Sequence, residues 1–155
     1  MKSIKDIMTK EVVSVSPDTP LIESARILAE HSFDGMPVVG KDNKLVGILT
    51  EYDLISKGTA VHLPTLQTVL QDVKVYNKDK STFKETFEEI ASLRVSDVMN
   101  PEPLTLDEDV TFEEAIIAFR DHHRVNPIPV VNKKKEVVGV VSRYDIVKSL
   151  YVLKA

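Results

Sequence analysis

Met36-Pro37-Val38-Val39, the turn residues Lys41-Asp42-Asn43-Lys44, and Leu45-Val46-Gly47-Ile48-Leu49-Thr50-Glu51-Tyr52-Asp53 decide the fold, because this stretch returns 92 residues later. There it reads Ile128-Pro129-Val130-Val131, Lys133-Lys134-Lys135-Glu136 and Val137-Val138-Gly139-Val140-Val141-Ser142-Arg143-Tyr144-Asp145. Over Gly35 to Ile55 against Pro127 to Val147, eight of 21 positions are identical. Chance at ordinary residue usage would supply roughly one or two. Working outward, Leu21, Ala25 and Leu28 return as Phe112, Ile116 and Phe119, and Asp6-Ile7-Met8 returns as Asp97-Val98-Met99, now at a shift of 91. The chain is a duplicated unit, and self-similarity of this kind fixes the architecture before any single element is considered.

Each copy reads as β-α-β-β-α. Val12 to Val15 and Leu104 to Leu106 are short first strands. A helix is expected from Thr19 with Pro20 in its first position, and from Thr111 with Glu114 completing a capping box. Apolar residues at i, i+4 and i+7 give both helices one buried stripe. Two apolar β-runs follow, Met36 to Val39 with Leu45 to Leu49, and Ile128 to Val131 with Val137 to Val141, each pair joined by turn residues. Last helices start at Thr50 and Ser142, with Gly58 as a stop for the first. Short apolar strands need covering, so the expected class is α/β (α+β), with two copies related by a pseudo-two-fold axis. Repeat 1 spans 1–57, a helical insertion 58–94, and repeat 2 95–155. In the insertion a short helix is expected over Pro64 to Asp72, and Thr82 with Glu85 caps a second bearing Phe83, Phe87 and Ile90.

Composition removes several classes of function. The 155 residues are 43% apolar and 28% charged, ordinary values for a packed protein. A net charge of −4 argues against nucleic acid as partner, since phosphate-backbone binding draws on a basic surface. The absence of Cys removes disulfides and thiolate chemistry. The N-terminus has no signal-peptide run, and apolar stretches such as Val137 to Val141 fall far short of the roughly 20 residues a membrane span needs. The expected location is cytoplasmic, with no membrane partner. No nucleophile and base, metal constellation or P-loop is spaced for catalysis, so an enzyme is not expected.

The two quoted strings, each preceded by the Asp-Ile/Val-Met element and an amphipathic helix, resemble the signature of the CBS domain, the module first recognised in cystathionine β-synthase. Two in tandem resemble a Bateman module, and the likeness covers nearly the whole chain apart from the insertion and the last few residues. The resemblance implies a regulatory homodimer that binds an adenosyl compound between the repeats and signals to a separate output protein. The ligands it implies are AMP, ADP, ATP, S-adenosylmethionine or NAD, with or without magnesium, and no required cofactor. The alternative is a ligand-free dimerisation scaffold.

Thr50 and Ser142 sit where a strand hands over to a helix, so unpaired N–H groups and hydroxyls there suit a phosphate. Asp53 and Asp145, three residues on, are acceptor-only carboxylates suited to a ribose diol, and they are the family's ribose positions. The same Thr-x-x-Asp and Ser-x-x-Asp spacings are also helix caps. Arg143 follows Ser142 where Glu51 follows Thr50, which makes the cleft edge near Ser142, Arg143 and Asp145 the expected anion site. The second copy also carries His123 and Arg124 after its first helix, where the sequence leaves open which pocket the loop faces and where His122-His123 reads equally as cationic side chains at a helix C-terminus. The Lys133-Lys134-Lys135 run reads first as a solvated hairpin tip. The resemblance implies that Val15 and Thr105 lie near the adenine, a role the sequence does not separate from core packing, and Met36, Pro37, Ile128 and Pro129 on the neighbouring strands are further candidate nucleotide-binding residues. Gly35 and Gly47 mark close approach of another chain or ring, or simple turn and strand packing.

Overall fold

The computed structural model describes residues 3–56, 88 and 91–152. After a 3-10 turn at Ile4–Asp6, the first repeat contributes helix α1 (Leu21–His31), strands β1 (Gly35–Val39) and β2 (Leu45–Thr50), and helix α2 (Glu51–Ser56). The second contributes α3 (Val95–Val98), β3 (Leu106–Asp107), α4 (Phe112–Asp121), β4 (Ile128–Val131), β5 (Val137–Val141) and α5 (Arg143–Val152). Gly58 and the helices expected over 64–72 and around Phe83, Phe87 and Ile90 fall outside the described residues.

β1 and β2 pair antiparallel, as do β4 and β5, while β3 runs parallel to β4. The strands quoted at the outset therefore form as expected, because apolar runs of this length, buried along β1 and β4, are stable only when paired and covered. The first strands need correction. Val12 to Val15 reduces to one parallel bridge, Val15 to Val38, and the second copy's strand is Leu106–Asp107 rather than Leu104 to Leu106. The first helix also starts later than expected. Pro20 is its N-cap rather than its first residue, and the amide of Leu21 donates to the carbonyl of Leu93 at 3.0 Å. Thr111 and Glu114 form the expected box, with Glu114 accepting from Thr111 N at 2.9 Å.

The segment ahead of each repeat folds onto the other repeat. Thr9 pairs with Val140 on β5, and its counterpart Asn100 pairs with Ile48 on β2. Ser3 pairs with Thr111, and reciprocally Arg94 with Pro20. Ile4, fully buried, belongs to the second repeat's core with Leu106, Phe119, Ile128 and Val141; Val95, equally buried, belongs to the first repeat's core with Leu21, Leu28, Met36 and Leu49. The boundaries 1–57 and 95–155 thus describe the duplication in sequence, while each packed half takes its opening element from across the molecule.

On the pseudo-two-fold axis equivalent residues meet each other. Lys44 bridges Glu136 at one end, and at the other Asn126 Nδ2 donates to Asp34 Oδ2 at 2.6 Å. This exchange sets the C-terminal ends of β2 and β5 on either side of the axis, where the strands hand over to α2 and α5.

Candidate ligand-binding site

At each strand-to-helix junction a short polar side chain and an aspartate lock together. Ser142 N and Oγ both donate to Asp145 Oδ2, at 2.8 and 2.7 Å, and the Asp145 amide donates to Ser142 Oγ at 3.2 Å. Thr50 N and Oγ1 donate to Asp53 Oδ2 at 3.0 and 2.8 Å, and the Asp53 amide returns a bond to Thr50 Oγ1 at 3.1 Å. These are reciprocal caps, which satisfy amides that a helix start otherwise leaves open. The hydroxyl hydrogens expected to face a phosphate are given to the carboxylates instead. Asp145 Oδ1 carries no hydrogen bond among the described residues, and so keeps acceptor capacity for a ligand.

Two cavities open beside these junctions, one on each side of the axis. The larger, of 570 Å³, is walled by Thr9, Glu11 and Val13 from the exchanged segment, His31 to Gly35 from the last residue of α1 to the first of β1, Pro37, and Val140 with Ser142 to Asp145. Asn126 and Pro127 close it along the axis. The smaller, of 200 Å³, repeats the plan with Asn100, Pro103 and Leu104, then Arg124 to Asn126, and Ile48, Thr50, Tyr52 and Asp53. Each cavity takes its floor from one repeat's last strand and its rim from the other repeat. Small-ligand pockets run about 300–1,000 Å³, so the larger has ligand size.

Comparison with known proteins follows the same lines. The family profile of the CBS domain matches residues 4–59 and again 95–152. The chain belongs to the CBS domain family. The CBS pair is 30% identical over 154 residues to protein MJ1426 of Methanocaldococcus jannaschii, covering 95% of this chain and 90% of that one. It is 28% identical to that organism's inosine-5′-monophosphate dehydrogenase, covering 96% of this chain but 23% of the dehydrogenase, so there the pair is one part of a longer protein. Among solved structures it resembles CBSX2 of Arabidopsis thaliana in complex with AMP, at TM-score 0.74 and 24% identity over the full length of both chains. It also resembles the CBS pair of protein MJ0100 in complex with 5′-methylthioadenosine and S-adenosylmethionine, at TM-score 0.68 and 24% identity, covering 96% of this chain and 99% of that one. These two likenesses establish the shared fold.

Within the CBS pair the residues singled out from sequence fall into three groups. Thr50 and Asp53 line the small cavity, and Ser142, Arg143, Asp145 and Pro37 line the large one. Arg124 lies in the small cavity rather than beside Ser142, because the loop after each helix faces the opposite repeat's junction. His123 lines neither; its carbonyl, with that of His122, accepts from the Arg143 guanidinium, which also lies 5.8 Å from the Phe119 ring centre. Met36, Ile128 and Pro129 are sealed in the core. Val15 is buried and bridges Val38, and Thr105 lines neither cavity; Val13, two residues before Val15, lines the large one, and Leu104, next to Thr105, the small one.

Sequence reasoning passed over Asp34 and Asn126, which meet on the axis, and the stacked rings of His31 and Phe33, 4.9 Å apart at the rim of the large cavity. The available signal was the shift itself: residues 31–35 and 123–127 are equivalent loops, so one that lines a cavity implies the other. Among the described residues, no group of three or more His, Asp or Glu could hold a metal, and no helix is long and apolar enough to cross a membrane.

Proposed function

We propose that this CBS pair is a regulatory module, not a catalyst, which binds an adenosyl compound in the crevice between its repeats and passes the resulting change of shape to a separate partner. The observation that carries the reading is the 570 Å³ cavity with Asp145 in its wall, one carboxylate oxygen of which remains unbonded among the described residues. A ribose diol supplies the two O–H donors such a group takes, and Val13 and the His31–Phe33 pair offer apolar and aromatic surface for a base. The related complexes with AMP, 5′-methylthioadenosine and S-adenosylmethionine support an adenosyl ligand. Binding shifts shape only through different affinity for two states, and walls drawn from both repeats make the cavity sensitive to their relative position.

A homodimer belongs to this reading. Tyr52 and Ile55 on α2, and Tyr144, Val147 and Tyr151 on α5, are exposed at 49, 53, 74, 60 and 82% respectively. Exposed apolar residues concentrated on two helices suit a contact with another chain, and a second copy presents the same surface.

Thermal shifts with AMP, ADP, ATP, NAD, 5′-methylthioadenosine and S-adenosylmethionine, with and without magnesium, test the reading. A ligand at 100 times its Kd stabilises the fold by about 2.7 kcal/mol. At least one adenosyl compound raises Tm by several degrees, and Asp145→Ala reduces that rise more than Asp53→Ala does. A stable dimer by light scattering with no response to any compound replaces the sensor with a scaffold.

A further inference from the structure

The two clefts share a plan but not a charge. The loop after α1 supplies Ser32, Phe33 and Asp34 to the large cavity; the equivalent loop after α4 supplies Arg124, Val125 and Asn126 to the small one. A hydroxyl thus stands where the other side has a guanidinium, and a carboxylate where it has an amide. Glu11, on the exchanged segment, adds a second carboxylate to the large cavity, and Asp145 a third. Against these stand the Arg143 guanidinium, which is held by the carbonyls of His122 and His123, and the His31 imidazole. The ionisable lining described here is net negative whichever charge His31 carries.

We infer that the large cavity selects against phosphate, taking an adenosyl ligand that is uncharged or cationic outside its base and sugar, with Glu11 and Asp34 as the residues that set this preference. The inference rests on the adenosyl reading above and names the ligand class of the same site. It reverses the expectation that Arg143 makes the Ser142 side an anion site, because Glu11 and Asp34 of the first repeat line the same cavity. A phosphate anywhere in a space of 570 Å³ lies within about one Debye length, roughly 8–10 Å, of the lining carboxylates, where solvent ions screen it incompletely. Asp34 is also held in place: its Oδ2 accepts from Asn126 Nδ2 at 2.6 Å, so the carboxylate stays at the wall. A neutral thioether or a sulfonium meets no repulsion from these groups, and a sulfonium is attracted.

Titration calorimetry of the full chain at pH 7 with 5′-methylthioadenosine, S-adenosylmethionine and AMP tests it. At low salt 5′-methylthioadenosine binds at least about tenfold more tightly than AMP, a like-charge penalty of ordinary size, and 0.5 M NaCl narrows that gap. Replacing both acids, Glu11→Gln with Asp34→Asn, raises AMP affinity relative to 5′-methylthioadenosine about tenfold, the same penalty removed. AMP binding as tightly as 5′-methylthioadenosine to the native protein overturns the charge selection and leaves the adenosyl sensor standing. A preference indifferent to salt and to both substitutions overturns it as well. Binding of none of the three removes this inference, and the adenosyl reading falls with it when ADP, ATP and NAD also give no thermal shift. The salt series on the native chain decides the matter even if the double variant fails to fold.

Discussion

A Cβ placed on Gly139 would lie 2.5 Å from the sulfur of Met8, which the exchanged N-terminal segment lays across β5. The equivalent pair is tighter in a different way: a Cβ on Gly47 would meet Met99 Sδ at 2.8 Å and the carbonyl oxygen of Asn100, also at 2.8 Å. Glycine stands at both positions because another segment crosses there, and the repeated Asp-x-Met element is that segment. Asp6 and Asp97 fix its turn by accepting the amides of Ser3 and Arg94, each at 2.8 Å.

Gly139→Ala and Gly47→Ala should therefore destabilise by about 1–3 kcal/mol, the usual range for overpacking. Gly47→Ala should cost more, since its clash includes backbone bonded to Ile48, whereas much of the clash at Gly139 is with a methionine side chain that can turn. Urea midpoints measure both. A double variant adding Met8→Ala to Gly139→Ala should lose less than the sum of the single changes, as contacting sites do. Additive losses would show that the methionine is not what Gly139 accommodates.

Acid should weaken the second repeat through a group outside the cavities. The Glu114 carboxylate is held below its ordinary value of 4.5, first by the amide of Thr111 and then by the Thr111 hydroxyl. Asp109 is likewise held below 3.8, chiefly by the ammonium of Lys5 at 2.7 Å. A carboxylate with a depressed folded pKa contributes stability that is whole above the unfolded pKa and is lost as pH falls through the folded one. The stability gap between the native chain and Glu114→Gln should accordingly be widest near neutrality and shrink as pH drops from 7 toward 3. Urea midpoints across that range read it, and a gap that stayed constant would remove the charge from the cap.

What the sequence made legible follows from which interactions are local. The runs Ile128–Val131 and Val137–Val141 match their strands at both ends, and Thr111 with Glu114 caps its helix as expected, because a pleated run or a capping box involves near neighbours. The exchange of Ile4 and Val95 was hidden, since an apolar turn carries no mark of which core will receive it. For Val15 the sequence left adenine contact and core packing open, and its burial is that of a core residue; Thr105 lines neither cavity. Leu104, beside Thr105 and so on the opposite side of the pleat, lines the small cavity, while Val13 lines the large one ahead of the single Val15–Val38 bridge. Which junction Arg124 faces was hidden in the same way as the exchanged turns, because the rim of each cavity comes from the repeat that does not supply its floor.

That exchange makes the repeats inseparable, and this is open to direct test. Ile4 lies at 0% exposure in the second repeat's core, and Val95 at 0% in the first's. Ile4→Ala should cost about 2–5 kcal/mol, the range for truncating a buried Ile. Unfolding of the whole chain should stay a single transition, because removing either exchanged turn opens the partner's core. Residues 1–92 alone lack Val95 and Val98, and residues 95–155 alone lack Ile4, Ile7 and Met8; neither fragment should show a cooperative melt, while an equimolar mixture should recover one. A cooperative transition in an isolated fragment would mean that each repeat closes its own core, and the crossed architecture of both cavities would then have to be abandoned.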